Sequence, residues 1–240
     1  MNESTYALIS GVSRSGTSLV TSLIGKHQDC IAMMEHTYSQ EHKIISNEKI
    51  IANKITTPRQ IQLEHPKYPF YLRRYLNKVV RNIRINTSLD MGFRPEGVLS
   101  IREYVEKRDA KLLFIIRKPD HIIDSLVTRG TNSISQALRI WEQGIRELIK
   151  SYNRYEKRTR IIQFEELVIR PYDTMDAVFE FFSVQSCPSV VDDFESQFKY
   201  NRSGINELPA KKKTKDYGVK EKFPRAYNMY SKLKTNSVSN

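Results

Sequence analysis

Two glycines five residues apart, set among four hydroxyl side chains and an arginine, are the residues of this chain best suited to chemistry. They lie in GVSRSGTSLVTSL, residues 11–23. Gly11 and Gly16 let the backbone turn tightly and approach a ligand, so that successive N–H groups converge on an anion. Ser13, Ser15, Thr17 and Ser18 add hydroxyl donors, and Arg14 adds a planar fork matched to oxyanions. The spacing is nearly that of the Walker loop, but Thr17 stands where the Walker lysine would be. The loop therefore lacks the cation that reaches for the terminal phosphates of ATP. A second pair lies far along the chain: Arg117, ending the apolar run AKLLFII, and Ser125, eight residues later. If a helix carries the serine, six residues of it advance about 9 Å, within reach of a long arginine side chain. Arginine and serine then grip one phosphate together.

The elements that must position these residues follow from periodicity. YALISGV (6–12) reads as a buried strand that feeds, through the glycine loop, a helix over 16–27. IAMM (31–34) is consistent with a second strand, and AKLLFIIR (110–117) is the clearest strand of all. Pro119 suits the first turn of a helix PDHIIDSLVTR, with Asp120 beside its positive end. A long helix over about 133–155 carries Ile134, Leu138, Trp141, Ile145 and Leu148 on one stripe, which assigns Trp141 to the core. RIIQFEEL (160–167) reads as a further buried strand and YDTMDAVFEFF (172–182) as a closing helix, with weaker helical patterns at 69–82 and 100–108. This alternation predicts an α/β fold of three layers, a parallel central sheet flanked by helices, nucleotide-binding and P-loop-like. Ligands in such folds bind beyond the carboxyl ends of the strands. The glycine loop and Arg117 both fall there.

Composition narrows the function classes. A chain of 240 residues, 39% hydrophobic and 28% charged, buries a sizeable core as one soluble domain. No apolar run approaches a membrane span, and the N-terminus lacks the pattern of a secretory signal, so a cytoplasmic location is expected. Cys30 and Cys187 have no metal-ligand spacing, and the five histidines form no ligand pattern, so no metal is expected. The formal charge of +12 points to an anionic partner. Residues 204–240 hold nine Lys/Arg against three Asp/Glu. The chain divides accordingly into a main domain, 1–203, and a basic C-terminal segment, 204–240, read as a lid or a solvated, mobile tail.

SGVSRSGTSLVTSLIGKH resembles the 5′-phosphosulfate loop of sulfotransferases that use 3′-phosphoadenosine 5′-phosphosulfate (PAPS), with Ser13 in place of that loop's proline. AKLLFIIRKPDHIIDSLVTRG resembles the same family's 3′-phosphate segment, Arg117 and Ser125 matching its arginine and serine. The resemblance implies PAPS as donor, no metal, and sulfuryl transfer to a hydroxyl of a carbohydrate, peptide or small-molecule acceptor. It also accounts for the missing lysine, because a sulfuryl group carries less charge than a γ-phosphoryl group. In the tyrosylprotein type a glutamate base follows the loop arginine by 21 residues, which implies Glu35 here, with His36 as the reserve candidate. ANKITTP (52–58) resembles the stretch bearing a catalytic lysine, which implies Lys54, with Arg59 as a substitute. Ser13, Arg14, Ser15, Gly16, Thr17, Ser18, Arg117 and Ser125 are then donor-binding residues, and Arg14, Glu35 and Lys54 catalytic ones. YPFYLRRYL (68–76) is a candidate acceptor lid, and Lys211–Lys213 a cover for the nucleotide.

Two other readings compete. A P-loop nucleotide-dependent kinase would need ATP, magnesium and the lysine the loop lacks. A non-catalytic polyanion or nucleic-acid binder would draw on the basic surface and show steep salt dependence. Under the leading reading no nucleic-acid partner is expected.

Overall fold

The computed structural model describes residues 4–36, 48–58, 60–64, 98–128, 132–192 and 215–237. At its centre is an all-parallel five-stranded sheet of order β2-β3-β1-β4-β5. The strands are β1 (Thr5–Gly11), β2 (Cys30–Met34), β3 (Ile50–Lys54), β4 (Lys111–Ile116) and β5 (Thr159–Gln163). Parallel strands covered on both faces read as unbroken apolar runs, and LLFII at the centre of β4 is fully buried. Successive residues point to opposite faces. Leu8, Leu112, Phe114 and Ile116 enter one hydrophobic core, while Ala7, Ile9, Leu113 and Ile115 enter another.

Helices cover each core. The first packs against α2 (Ile101–Arg108), α3 (Pro119–Thr128) and α4 (Ile134–Tyr155), with Trp141 completely buried as its stripe implies. The second packs against α1 (Thr17–Ile24), α5 (Phe164–Ile169) and α6 (Pro171–Phe182). These are the three layers expected. Cys30 is enclosed in the second core, where burial, helped by the Asp29 charge, pushes its thiol up to about 12.

Three expectations are corrected. The sheet contains β3, which sequence patterning overlooked; Ile50, Ile51 and Ala52 form a run too short to stand out from its mixed surroundings. RIIQFEEL is not one strand. β5 ends at Gln163, and Phe164 opens α5, whose first turn holds Glu165 and Glu166 beside the positive helix end. Nor are residues 219–235 a solvated tail. They form α7 (Val219–Lys222) and α8 (Pro224–Thr235), which bury Val219, Ala226, Tyr230 and Leu233 in the first core. The many lysines of this stretch lie around an apolar face that net charge conceals. The boundary near residue 203, the candidate lid YPFYLRRYL, Arg59 and Lys211–Lys213 fall outside the described residues. No helix among the described residues is long and apolar enough to cross a membrane.

β1 and β4 are neighbours, but the chain leaves β1 toward β2 on one side and leaves β4 toward β5 on the other. The crevice at this switch point is where an open α/β sheet admits a ligand.

Candidate functional site

The glycine loop occupies that crevice. It leaves β1 at Gly11, turns through a Ser15 N–H to Val12 carbonyl bond of 2.9 Å, and enters α1 through Gly16. Gly16 has φ +101°, a left-handed conformation that costs an L-residue energy. A Cβ there would also lie 2.2 Å from Cδ2 of Phe164. At Gly11 a Cβ would meet the Ile115 carbonyl at 2.5 Å. Gly11 is required by contact, and Gly16 by contact and by its left-handed turn. Gly16→Ala is expected to destabilise the protein by about 2–5 kcal/mol, from left-handed strain and overpacking together. Thermal unfolding checks this at about 2–4 °C per kcal/mol; a melting point within a degree of the parent would show Phe164 to be loosely seated.

Arg14, Arg117 and Ser125 come together. Arg14 Nε donates to Ser125 Oγ at 3.1 Å, and Arg117 Nη1 donates to the Arg14 carbonyl at 3.0 Å. Arg14 itself takes φ 77°, so the loop reverses at the residue Arg117 holds. Arg117 is 5% exposed, and its guanidinium lies 4.4 Å from the Phe164 ring centroid. One ring thus packs against Gly16 on the loop and against the guanidinium beyond β4. Sequence reading missed Phe164 because FEEL was assigned to a strand.

The hydroxyls divide by environment. Ser15 is wholly buried, and its Oγ has no hydrogen-bond partner among the described residues. An orphaned hydroxyl in a turn of converging N–H groups fits an anion. Ser13 is half-buried in the turn, while Thr17 is buried and Ser18 exposed in the first turn of α1. That turn carries amide groups with no intrahelical partner.

Glu35 and Lys54 form a second group on the same edge. Glu35 directly follows β2 and Lys54 ends β3, where it is in register with Met34 on one side and Ile9 on the other. Lys54 Nζ lies 2.6 Å from Glu35 Oε1, the lysine side chain 7% exposed and the glutamate's 47%. Burial raises the Glu35 carboxyl, but hydrogen bonds from Lys54 and Gln60 and the Lys54 charge together hold it below its ordinary value. The Thr57 N–H bond to the Gly11 carbonyl, 3.0 Å, ties the exit of β3 to the start of the glycine loop. From β3 to β4 is two inter-strand steps, about 10 Å. His36 is engaged through its backbone, and its Nδ1 is buried with no partner among the described residues. No cluster of metal-ligating side chains occurs among the described residues.

The C-terminal segment joins this edge of the fold. Tyr217 donates its N–H to Asp120 at 3.0 Å and its hydroxyl to Asp124 at 3.2 Å, both on α3 beside Ser125. Glu165 on α5 accepts the Lys118 N–H at 3.0 Å, so it fixes the backbone directly after Arg117.

No protein-family model matches the chain, and no curated protein matches it. Solved structures do. Mouse sulfotransferase SULT7A1 complexed with PAP aligns over 100% of this chain and 90% of its own, at 12% identity and TM-score 0.55. The sulfotransferase domain from the curacin biosynthetic pathway aligns over 98% and 99% respectively, at 14% identity and TM-score 0.50. A sulfotransferase from Alicyclobacillus acidocaldarius aligns over 99% and 98%, at 14% identity and TM-score 0.50. At such identities the likeness is one of fold, and this chain has the P-loop-like α/β fold of the sulfotransferases.

Proposed function

We propose that the protein is a PAPS-dependent sulfotransferase acting on a hydroxyl-bearing acceptor, a carbohydrate, peptide or small molecule. The observation that carries this reading is the convergence of Arg14, Arg117 and Ser125 at the switch point of the sheet. Two arginine forks and a hydroxyl in one crevice suit an anion that is recognised bidentately rather than through a metal.

The residues fit PAPS. The buried, unpartnered Ser15 hydroxyl and the first-turn amides of α1 would hold the 5′ end, with Ser13, Thr17 and Ser18 adding donors. Arg117 and Ser125 would hold the 3′-phosphate, and Arg14, already on Ser125, would bridge the two ends. PAPS, when bound, supplies an activated sulfuryl group whose sulfur–oxygen bond to the 5′-phosphate breaks. Glu35 takes the proton from the acceptor hydroxyl as that oxygen bonds to sulfur. Lys54, at the end of β3, would oppose with its ammonium the negative charge left on the phosphate oxygen. Arg14 adds to that field. The proton ends on Glu35 and the negative charge on the 5′-phosphate of the departing nucleotide, so the transfer balances.

Thermal shift with 3′-phosphoadenosine 5′-phosphate (PAP), ADP and ATP tests the donor. PAP at a hundred times its Kd should stabilise the protein by about 2.7 kcal/mol, with or without EDTA. ADP and ATP, lacking the 3′-phosphate, should do much less. Equal or greater stabilisation by magnesium-ATP would turn the reading into that of a kinase.

A further inference from the structure

β3 carries a second polar residue next to Lys54. Asn53 is 1% exposed, and its side chain is fully engaged. Its Nδ2 donates to the His36 carbonyl at 2.9 Å and to the Tyr104 hydroxyl at 3.0 Å. Its Oδ1 accepts the His36 N–H at 3.3 Å. One amide therefore satisfies both backbone groups of a single residue and is itself anchored to a buried tyrosine of α2.

There is a topological reason for a side chain to do this. The β2–β3 ladder ends at Met34 opposite Lys54, with a last bond from the Glu35 N–H to the Lys54 carbonyl at 2.9 Å. Beyond it β3 turns toward β1, where Ile55 N–H reaches the Ile9 carbonyl and Thr57 N–H reaches Gly11. Among the described residues, no strand pairs with the backbone of His36. The amide of Asn53 has the donor and acceptor of a peptide unit and completes the ladder in its place. Between these two fixed points lies Glu35, at φ 64°, a left-handed conformation uncommon for a residue with a side chain. Such a backbone persists only where its surroundings over-determine it.

We propose that Asn53 is the positioning residue of the Glu35–Lys54 pair: by clamping the His36 backbone it fixes the left-handed turn at Glu35 and aims the carboxylate at Lys54 Nζ. Adjacent positions on one strand thus serve one site from opposite faces, residue 54 meeting the carboxylate of 35 and residue 53 holding the backbone of 36. This rests on the reading of Glu35 and Lys54 as the reacting pair.

Asn53→Leu and Tyr104→Phe in the full chain test the clamp, with Glu35→Gln as reference. Asn53→Leu should lower kcat about 10- to 100-fold, the scale of a misplacement near 1 Å, while the Kd for PAP changes less than about twofold. Carboxyl-carbon NMR should show Glu35 titrating at higher pH in Asn53→Leu, because the contact with Lys54 that lowers it has loosened. Tyr104→Phe leaves the His36 clamp in place and should cost less than about threefold in kcat. If Asn53→Leu does not fold, Asn53→Asp keeps the acceptor for the His36 N–H but loses both donors, and should show the same fall in kcat at unchanged PAP affinity. A parental kcat in a folded Asn53 variant, or an unmoved Glu35 titration in Asn53→Leu, overturns the proposal. A parent protein that binds PAP but transfers no sulfuryl group overturns the functional reading beneath it, whatever the NMR titration gives.

Discussion

Glu35→Gln should transfer sulfuryl groups about 10²–10⁴ times more slowly than the parent, with donor affinity little changed. Glutamine keeps the size of the side chain and can still meet Lys54, but it has no site for the acceptor's proton. The parent's pH profile carries a second signature. The carboxylate is the working form, so kcat rises as Glu35 loses its proton. Because the folded protein holds that group below its ordinary 4.5, the acid limb lies below that value. At about pH 5.5 the carboxylate already exceeds the acid by more than tenfold, and the rate should have reached its plateau. Lys54→Ala removes a hydrogen bond and a charge that lower the group, leaving burial less opposed. Its acid limb should move upward, on top of a fall in kcat of about 10²–10³. A Glu35→Gln variant of parental rate, or an acid limb unmoved in Lys54→Ala, would exclude Glu35 as the base and leave His36 to be tested.

Much of this arrangement is legible in the sequence, for reasons that differ by element. β1, β4 and the glycine loop are local signals: unbroken apolar runs, a proline at a helix start, glycines where close contacts leave room for nothing larger. β3 is not legible in that way. Five residues of it are held by hydrogen bonds to β1 and β2 on either side, a stability that belongs to the sheet and not to the segment. The same is true of α5. Its glutamates look compatible with a strand continuing from RIIQ, and the positive helix end that accommodates them exists only once the chain has turned.

The candidate site shows the same division. Arg14, Arg117, Ser125, Glu35 and Lys54 are found by residue type and by spacing matched to a family. What holds them is not. Phe164 reaches Arg117 and Gly16 across 47 and 148 positions of chain, and Asn53 meets Tyr104 across 51. No local pattern encodes such contacts. They are consequences of strand order, which brings β4 beside β1 and leaves the end of β2 in need of a partner. Supporting residues are therefore the last part of a site to be read from one sequence, although they decide its geometry.

Arg117→Ala should weaken PAP binding about 10- to 100-fold while leaving ADP binding nearly unchanged. The direct part would be the proposed charge-assisted contact to the 3′-phosphate, about 1.5–3 kcal/mol, where about 1.4 kcal/mol is tenfold. An indirect part adds to it, because Arg117 also holds the Arg14 carbonyl and so stabilises the reversal of the glycine loop. The two parts separate with a second variant. Arg117→Lys keeps a positive charge near the phosphate but loses the planar fork that reaches Arg14 while lying over Phe164. If the fork matters, lysine recovers only part of the lost affinity. Calorimetry of both variants with PAP and ADP, after thermal melts confirm that they fold, reads out the difference. Arg117→Ala losing PAP and ADP alike would mean that Arg117 only shapes the loop, and unchanged PAP affinity would remove the 3′-phosphate grip on which the choice of PAPS as donor rests.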